Sequence, residues 1–491
     1  LRVVAYSTEY AGFIDALGEN GSRKSDVNSG NRTGGRVALK LQPNDAVTIM
    51  PRIVYQEIEA DGFNRQEAFN LYANPNTTTR PAIQLGEREQ YLLLDEGFDD
   101  ETTIGDIVVE WDTGAGALTF VGSYMDRSIL VSRDASALTG SVSVDLGFPE
   151  DGVLLPSNLR DTTELEQTTY ELRYSSDTDS DLQFVVGAFY SDLQRDYAQR
   201  LPTPGYDFYT DLVLGAGTAA AVTPPYGPDS PYNADLNYDI EQLAAFGEAN
   251  YRVSDRLVLT VGARYYDTEE DRTIFGTGLF SDGWDQSDST SSDGWTPRVM
   301  ASYELNEQVT LNAQASKGFR LGGVNDPLNS SLCTPEDLAV FGGFQIYDDE
   351  ELWNYEAGMK ARFGAVTLNA AAFYTDIEGL QVTLDAGSCS SRISFNVPEA
   401  HTAGIELEMS AQPTDDLLLT FAGSILEAEF DSTVTAADGS LLGGVRKGNR
   451  LPSVPELQFA ASATYFLPPL FGSEDTYVAA TLQHVSNRYT Q

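Results

Sequence analysis

The chain has 491 residues, of which 41% are apolar, and no run of them approaches the roughly 18 consecutive apolar residues of a membrane-spanning helix. Its 30 Lys and Arg against 74 Asp and Glu give a net charge of −44, which repels nucleic-acid phosphates and argues against a nucleic-acid-binding protein. With 25 Tyr, 23 Phe and 43 Gly but only 2 Cys and 2 His, the composition is typical of aromatic-rich β-structure rather than of a metalloenzyme.

Strand-like runs begin near the start of the chain. Residues 36–41 and 47–55 alternate apolar and polar side chains, which is the period of a β-strand with two different faces. Pro51 cannot donate a hydrogen bond to a neighbouring strand, so we expect a bulge or a local break there. A long polar segment, residues 57–97, follows before the next strand.

Short and long connections alternate along the rest of the chain. Tight turns join the runs within the pairs 107–111 and 118–124, 169–174 and 182–190, 243–251 and 257–265, 299–305 and 309–321, 355–363 and 366–374, and 405–409 and 417–425. The connections between pairs are long and cover residues 132–161, 201–237, 274–293, 322–349 and 430–450. Because an up-and-down barrel has short turns at one rim and long loops at the other, about 17 such runs predict an all-β fold, a large antiparallel transmembrane β-barrel.

The run at residues 309–325 shows the two expected faces most clearly. Apolar side chains lie at odd positions of this run, and we expect them to face lipid: Val309, Leu311, Ala313, Ala315, Phe319 and Leu321. The even positions are polar and end in Arg320, which we expect to face the lumen. A soluble sheet could show the same alternation, so the sorting of connection lengths decides between the two interpretations.

Eight tyrosines lie at or near predicted strand ends on the apolar face, where an aromatic girdle meets the membrane surface. They are Tyr55, Tyr124, Tyr174, Tyr190, Tyr265, Tyr303, Tyr374 and Tyr465. The high β-propensity of tyrosine is an alternative explanation, although it gives no reason for clustering at strand ends.

No catalytic motif for a hydrolase, a metalloprotease or a nucleotide-binding enzyme occurs, so an enzyme is not expected. No metal site and no cofactor are predicted either. The acidic run at residues 348–351 could supply oxygen ligands to Ca²⁺, but a solvated loop edge is the favoured interpretation. Cys333 and Cys389 lie in two predicted outer loops, where an oxidising surface favours a disulfide over two free thiols.

Aromatic side chains in the predicted outer loops are candidates for ligand binding, since ring faces beside Asp, Asn and Ser suit flat chelates or sugars. The loop candidates are Tyr206, Phe208, Tyr209, Tyr226, Tyr232, Trp284 and Trp295. Arg298 and Arg320, on the predicted inward face, complete the candidate set. Packing between loops or contact with lipopolysaccharide is an equally weighted alternative for the aromatic residues.

Four segments together resemble the barrel of TonB-dependent outer-membrane receptors of Gram-negative bacteria. They are ASKGFRLGGVNDPLN (315–329), ELWNYEAGMKARF (351–363), LNAAAFYTDIEGLQV (368–382) and FNVPEAHTAGIELEMSAQPTDDL (395–417). The resemblance implies a complete barrel of about 22 strands, a plug domain inside it, and uptake energised by the TonB–ExbB–ExbD complex through a TonB box. Residues 1–491 are then part of the barrel domain, and we expect the plug, the TonB box and the last strands to lie outside this chain.

The resemblance also implies a multi-pass protein of the bacterial outer membrane, in contact with lipid and lipopolysaccharide and expected to be a monomer. Its function is then the import of a scarce, bulky small molecule, first a ferric siderophore. TonB-dependent uptake of a carbohydrate, cobalamin or haem remains an alternative. A passive substrate-selective porin or a surface adhesin is the alternative from another class, and long outer loops favour the receptor.

Overall fold

The computed structural model describes residues 1–68, 83–330, 332–389, 391–436, 438–469 and 476–489. Part of the long polar segment predicted at 57–97, and the final residue Gln491, therefore lie outside the described residues. Among the helices that the structure describes, none has the length and apolar character needed to cross a membrane.

Nearly all regular structure is β-strand. In chain order the strands are β1 (Arg2–Tyr10), β2 (Asp15–Leu17), β3 (Arg23–Lys24), β4 (Gly30–Ala38), β5 (Leu41–Asn44), β6 (Val47–Ala60), β7 (Glu89–Tyr91), β8 (Gly97–Asp112), β9 (Gly116–Asp134), β10 (Asn158–Ser176), β11 (Leu182–Arg200), β12 (Asn233–Ser254), β13 (Leu257–Thr277), β14 (Asp285–Asn306), β15 (Val309–Arg320), β16 (Gly323–Val324), β17 (Ile346–Tyr347), β18 (Glu350–Phe363), β19 (Val366–Asp385), β20 (Arg392–Thr414), β21 (Leu417–Phe430), β22 (Leu457–Phe466) and β23 (Tyr477–Val485). The helices are α1 (Ser136–Asp145), α2 (Glu150–Val153), α3 (Tyr206–Leu214), α4 (Thr218–Val222) and α5 (Pro335–Phe341).

One antiparallel sheet contains 18 of the described strands. Its strands pair with their neighbours in chain order, from β1 with β4, through β6, β8 and β9, and onward to β22 with β23. The short strands β2, β3 and β7 form a separate sheet, and β16 pairs only with β17 within the described residues. The up-and-down order agrees with the predicted barrel, and counting β4 and β5 as one interrupted strand leaves the 17 strands expected.

The two faces of the sheet differ as the alternation predicts. On β13 and β14, Val261 and Val299 are 59% and 49% exposed on the outer face. On the inner face of β13, Thr260, Tyr266 and Arg272 are buried. The outward positions are thus apolar and exposed and the inward ones largely polar and covered, as expected for a barrel wall between lipid and water.

The break expected at Pro51 does not occur in its own strand, and the interruption lies in the neighbouring strand. β6 runs through Pro51 without interruption, and its register with β8 is continuous there. The interruption is the gap between β4 and β5, where Leu39 donates its N–H to the carbonyl oxygen of Pro51 at 3.0 Å. Since Pro51 has no N–H to return, the ladder is incomplete on that side.

The long connection predicted at residues 274–293 is wrong. β13 extends to Thr277 and β14 begins at Asp285, so only residues 278–284 connect them. The polar sequence GLFSDGWDQSDSTSSDGW predicts a loop, yet residues 285–295 continue the ladder with β13. The part of a strand that extends beyond the lipid-facing apolar band of the barrel needs no apolar residues, because both of its faces meet water.

The strand β15 departs from its predicted pattern near its end. Its pairing with β14 stops where Arg298 meets Ser316, while its pairing with β18 continues to Arg320. Beyond that point Phe319, predicted to face lipid, stacks on the inward Tyr266 with ring centroids 3.6 Å apart. Because β15 is no longer paired with β14 beyond Ser316, its end can turn across the wall, and its side chains no longer alternate strictly between the outer and inner faces.

The long connections pack into an apolar layer at one rim of the barrel. α1, α2 and α3 meet around Val142, Phe148, Val153 and Tyr206. A second cluster joins the ends of β19 to β21 with residues 328–344 and the loop after β21. The rim that carries the long connections is therefore a folded layer with its own apolar cores, which we name the loop layer.

Candidate functional site

The connection between β15 and β18 folds against the inner wall of the barrel. Arg272 on β13, which is only 3% exposed, donates from Nη1 to the carbonyl oxygen of Val324 at 2.7 Å and from Nη2 to that of Asn325 at 3.1 Å. The same guanidinium lies 3.3 Å from carboxylate oxygens of Asp288 and Asp326. Arg272 thus holds this connection, residues 321–349, which we name the inner segment.

Asn325 anchors the inner segment on its other side. Its amide nitrogen Nδ2 donates to the carbonyl oxygens of Phe344 at 2.9 Å and of Ser394 at 2.7 Å. Its Oδ1 accepts the N–H of Ser394 at 2.7 Å. Because Ser394 belongs to β20, the inner segment bridges the barrel mouth from β13 to β20.

A disulfide between Cys333 and Cys389 also ties the inner segment to the turn between β19 and β20. Beside it, Asp337 accepts hydrogen bonds from the N–H and the hydroxyl of Ser388. These bonds hold the pKa of the Asp337 carboxyl below its usual value. Three independent attachments therefore fix the segment.

A cavity of about 660 Å³ lies between the inner segment and the wall. Its lining includes Glu270 and Ser292 from the wall, and Tyr347, Asp349 and Glu351 from the other side. Ser292 donates a short hydrogen bond to Asp349 across the gap that β15 leaves when it separates from β14. The acidic run at residues 348–351, predicted to be a solvated edge, lines this cavity in part.

Arg195 is an inward-facing guanidinium that aromatic rings hold in place. Its Cζ lies 5.2 Å from the ring centroid of Tyr197 on β11 and 5.4 Å from that of Tyr238 on β12. No carboxylate within 4 Å pairs with Arg195 among the described residues, although Asp326 lies within electrostatic reach. A flat anionic ligand could stack on these rings and accept hydrogen bonds from the guanidinium.

Asp326 lies close enough to Arg272 and Arg195 for both charges to act on its carboxyl. Desolvation in the concave wall raises the pKa of its carboxyl, and the charges of Arg272 and Arg195 oppose that rise. Because 53% of the side chain still meets water, the desolvation is partial. At the mouth, the charge of Arg272 is thus neutralised by Asp288 and Asp326, whereas Arg195 has no such ion pair in the described residues and can contact a ligand.

A polar row crosses the inner wall closer to the short turns. Arg298 contacts Glu248 at 3.2 Å and Gln314 at 3.3 Å, and Gln314 donates to Glu356 at 3.3 Å. Glu248 reaches Arg298 over Gly262, where an added Cβ would lie 3.2 Å from the Glu248 side chain. A groove of about 850 Å³ begins at this row and continues past Lys360.

Most loop aromatics predicted to bind ligand lie inside the loop layer. Tyr206 is 1% exposed between Phe148 and Phe280, and its hydroxyl meets that of Ser143. Tyr209 packs against the same cluster. In this arrangement Tyr206 has no ring face open to a ligand, and its role is packing.

The remaining loop candidates differ in exposure. Tyr232 and Trp284 pack together with ring centroids 6.3 Å apart, and Trp284 is 8% exposed. Phe208 is 66% exposed beside Tyr209. Tyr226 donates a short hydrogen bond to Asp235 and lies 4.3 Å beneath the guanidinium of Arg200. Burial and Asp235 raise the pKa of Tyr226 to about 12.

Trp295 is not a loop residue. It belongs to β14, is 61% exposed, and packs beside Tyr265 on the outer face. That face is opposite to Arg298, so the structure separates two residues that were predicted to bind one ligand. Arg320 points toward the mouth as predicted, and it bonds to Glu350 and to the carbonyl oxygen of Gln381 at 2.9 Å.

Arg195, Tyr197 and Arg272 were not among the predicted site residues. All three lie on the inward positions of strands that continue beyond the apolar band, where the predicted strands had already ended. Beyond Tyr190 the side chains of β11 no longer alternate between apolar and polar, so the sequence carries no periodic signal there, although the backbone pairing with β12 continues to Arg200. Within the part of the chain that the structure describes, no group of three His, Cys, Asp or Glu side chains could hold a metal ion.

Comparison with known proteins places these features in a family. Residues 42–491 match the family described as TonB dependent receptor-like, beta-barrel. The pesticin receptor of Yersinia enterocolitica is 25% identical over 279 residues, which cover 56% of this chain and 38% of that protein. The metal-pseudopaline receptor CntO of Pseudomonas aeruginosa is 26% identical over 229 residues, covering 46% of this chain and 29% of that protein.

Solved structures share the fold. The ferric yersiniabactin uptake receptor FyuA of Yersinia pestis superposes with a TM-score of 0.67 at 17% identity, over 95% of this chain and 60% of that one. The siderophore receptor PiuA of Acinetobacter baumannii gives a TM-score of 0.64 at 17% identity, over 98% and 69%. The chain thus spans well under half the length of the curated relatives it matches and 60% of the first of these structures.

Proposed function

Because the chain belongs to the family of TonB-dependent receptor-like β-barrels, we propose that the complete protein binds a ferric siderophore at the barrel mouth and imports it with energy transmitted by TonB. The family consists of outer-membrane transport receptors for small ligands such as ferric chelates, and the barrel is an outer-membrane protein. That residues 1–491 are part of a longer receptor, with a plug and further strands outside them, belongs to the same proposal.

The observation that supports a chelate ligand most directly is Arg195. A guanidinium that faces the lumen between Tyr197 and Tyr238, with no carboxylate partner within 4 Å in the described residues, offers charge and ring faces together. An anionic ferric chelate that carries planar chelating groups would match that pair of features, because the groups can stack on the rings and the charge can meet the guanidinium. The same ligand class is supported by two similar proteins, the ferric yersiniabactin uptake receptor FyuA and the siderophore receptor PiuA.

The other loop aromatics have a supporting role in this proposal. Phe208 is exposed on the loop layer and could receive a ligand before it reaches Arg195. Arg298 and Arg320 lie on the inner wall and already have acidic or carbonyl partners, so we propose that they line the path. Tyr226 and Tyr232 would keep the loop layer in place around the mouth.

The full-length receptor, purified in detergent, tests the proposal by titration with ferric chelates, the same chelators without metal, and their copper and zinc complexes. We expect ferric chelates to bind and Arg195→Gln to weaken binding roughly tenfold to a hundredfold, the value of one hydrogen bond to a charged group. Arg392→Gln is a matched control, because Arg392 is 77% exposed in its side chain and pairs with Asp385 on the surface.

Two results would contradict the proposal. If no metal chelate binds to the wild-type receptor, the ligand class is wrong, and carbohydrate or cobalamin becomes the next class to test. If ferric chelates bind but Arg195→Gln and Arg392→Gln bind them equally well, the ligand does not contact Arg195. Uptake of labelled ferric chelate by cells with and without a functional TonB tests the energised step separately.

A further inference from the structure

A second arginine faces the lumen without an ion-pair partner, deeper in the barrel than Arg195. Arg264 lies on β13 two residues before the inward Tyr266, and among the described residues no carboxylate oxygen lies within 4 Å of its guanidinium. Its Nη2 donates to Oε1 of Gln242 at 3.4 Å, and the amide nitrogen of Gln242 donates to the hydroxyl of Thr268 at 3.2 Å. Because a glutamine amide is neutral, it leaves the positive charge of Arg264 uncompensated.

Two phenylalanines lie beside Arg264 on the inner wall. The Cζ of Arg264 lies 5.3 Å from the ring centroid of Phe189 on β11, within the range of a cation–π interaction. Phe246 on β12 is directly opposite Arg264 in the strand register. Its ring extends over Gly187, where an added Cβ would lie 2.5 Å from it, so a glycine is needed there. Arg264 thus combines an unpaired positive charge with aromatic surface, as Arg195 does.

The charge and the rings can be reached from the lumen. The side chains of Arg264, Phe189 and Phe246 are each only partly covered. Ala244 lies directly opposite Phe189 on β12 and is 1% exposed. Because alanine is small, the side chain of Arg264 can cross β12 above it and reach the ring of Phe189. The wall therefore offers a guanidinium next to aromatic surface at this level.

The two arginines lie on the same part of the wall at different depths. Arg195 is opposite Tyr238 in the register, and Tyr238 is opposite Arg272. Arg264 precedes Arg272 by eight residues on β13, which is about 26 Å along the strand toward the short turns. This separation exceeds the Debye length of about 8 Å at physiological ionic strength, so charges at the two levels hardly affect each other.

Glu270 lies between the two levels. It occupies an inward position of β13 between Arg264 and Arg272, and its side chain lines the 660 Å³ cavity under the inner segment. An anionic ligand is repelled by an ionised carboxylate at that point of the wall. The two arginines are therefore separate positions for a ligand and do not form one extended basic surface.

We propose that Arg264 forms a second binding site, which takes the same class of ligand as Arg195, an anionic metal chelate with planar groups. The guanidinium donates hydrogen bonds to anionic oxygens of the chelate, and the planar groups stack on Phe189 or Phe246. A chelate that leaves Arg195 is bound again at Arg264, nearer the short turns. This inference rests on the proposed function, from which it takes the ligand class.

Equilibrium dialysis of the full-length receptor in detergent counts the sites. The probes are ferric citrate and a ferric tricatecholate, both anionic and labelled with radioactive iron. We expect the wild-type receptor to bind two chelates at saturation, with two dissociation constants. Arg264→Gln should raise one constant roughly tenfold to a hundredfold, the value of one hydrogen bond to a charged group, and leave the other unchanged. Arg195→Gln should raise the other constant instead.

Two further variants and a control accompany Arg264→Gln. Phe189→Leu keeps the arginine but removes the ring beside it, and it should raise the same constant severalfold. Arg264→Lys keeps the charge without the planar fork and should give a smaller rise than Arg264→Gln, so both variants test the site if the glutamine variant fails to fold. The matched control is Arg52→Gln, because Arg52 lies on the inner face of β6 and pairs with Asp106 at 2.7 Å. We expect it to keep both wild-type constants.

The inference is overturned if the wild type binds one chelate at saturation, or if Arg264→Gln and Arg52→Gln have the same effect. It is also overturned if Arg264→Gln raises hydrogen exchange of the ligand-free receptor outside residues 1–491, because Arg264 would then contact another part of the protein. If Arg195→Gln changes a constant and Arg264→Gln changes none, this inference fails and the proposed function stands. If no chelate binds to the wild type, both fail.

Discussion

Replacing Arg272 with glutamine should release the inner segment from the wall while the barrel stays folded. The guanidinium makes four polar contacts, but the two carboxylates it meets are 37% and 53% exposed, so water can replace those contacts. The two bonds to the carbonyl oxygens of Val324 and Asn325 are the ones that matter. A hydrogen bond to a charged group contributes about 1.5–3 kcal/mol, and relaxation of the segment reduces the sum of two such bonds to about 3 kcal/mol.

This free energy corresponds to a change of roughly two orders of magnitude in local opening, since about 1.4 kcal/mol is tenfold. Hydrogen exchange followed by mass spectrometry measures it at the N–H of Asn325, which is bonded to the carbonyl oxygen of Gln345 at 2.8 Å. We expect protection to fall about a hundredfold there, with no change in β13 or β14. Arg298→Gln, which changes an inner-wall arginine that does not contact the inner segment, should leave Asn325 protected.

The reasoning would be refuted if Arg272→Gln changed protection at Asn325 by less than about threefold, a difference of well under 1 kcal/mol. That result would mean that Asn325 and the disulfide hold the segment without Arg272. Loss of protection throughout the barrel would be a different refutation, because it would make Arg272 part of the barrel core and not an attachment of one connection.

Two further predictions concern the loop layer. Replacing both Cys333 and Cys389 with serine should lower the stability of α5 and the turn it contacts by about 2–4 kcal/mol, measured by hydrogen exchange, because the open form of the inner segment gains chain entropy; unchanged exchange in α5 would contradict this. The phenol of Tyr226 has its pKa raised to about 12, so it favours the folded loop fully below pH 10, and this contribution is lost as the pH rises from about 10 to 12. Loop melting that is equally pH-dependent in Tyr226→Phe would exclude Tyr226 as the titrating group.

Sequence patterning predicted the fold because a β-barrel wall is built from local rules. An alternation with period two decides which residues face inward, and connection length decides which rim a turn occupies, so neither needs knowledge of distant contacts. These rules failed where apolar residues were no longer required. Residues 285–293 of β14 are polar on both faces, which predicts a loop, although backbone pairing with β13 makes them a strand.

The candidate site was predicted only in part. Loop aromatics were chosen because they are large and lie in long connections, but a loop layer needs its own apolar core, and Tyr206 and Trp284 are used for it. Which aromatic packs and which stays open depends on where the loops meet, and no local pattern contains that information. Arg195 was missed because the predicted strand ended before it.

The sequence by itself determined the strand period, the two faces of the wall, and the sorting of turns and loops. Each of these depends on residues a few positions apart. Only the tertiary structure decided that the inner segment lies inside the mouth and that the hydrogen bonds of Arg272 hold it there. It also decided that Arg195 has no carboxylate partner within 4 Å among the described residues and can contact a ligand. Those outcomes depend on pairs such as Arg272 with Val324 and Asn325 with Ser394, which are 52 and 69 residues apart and meet only when the wall curves.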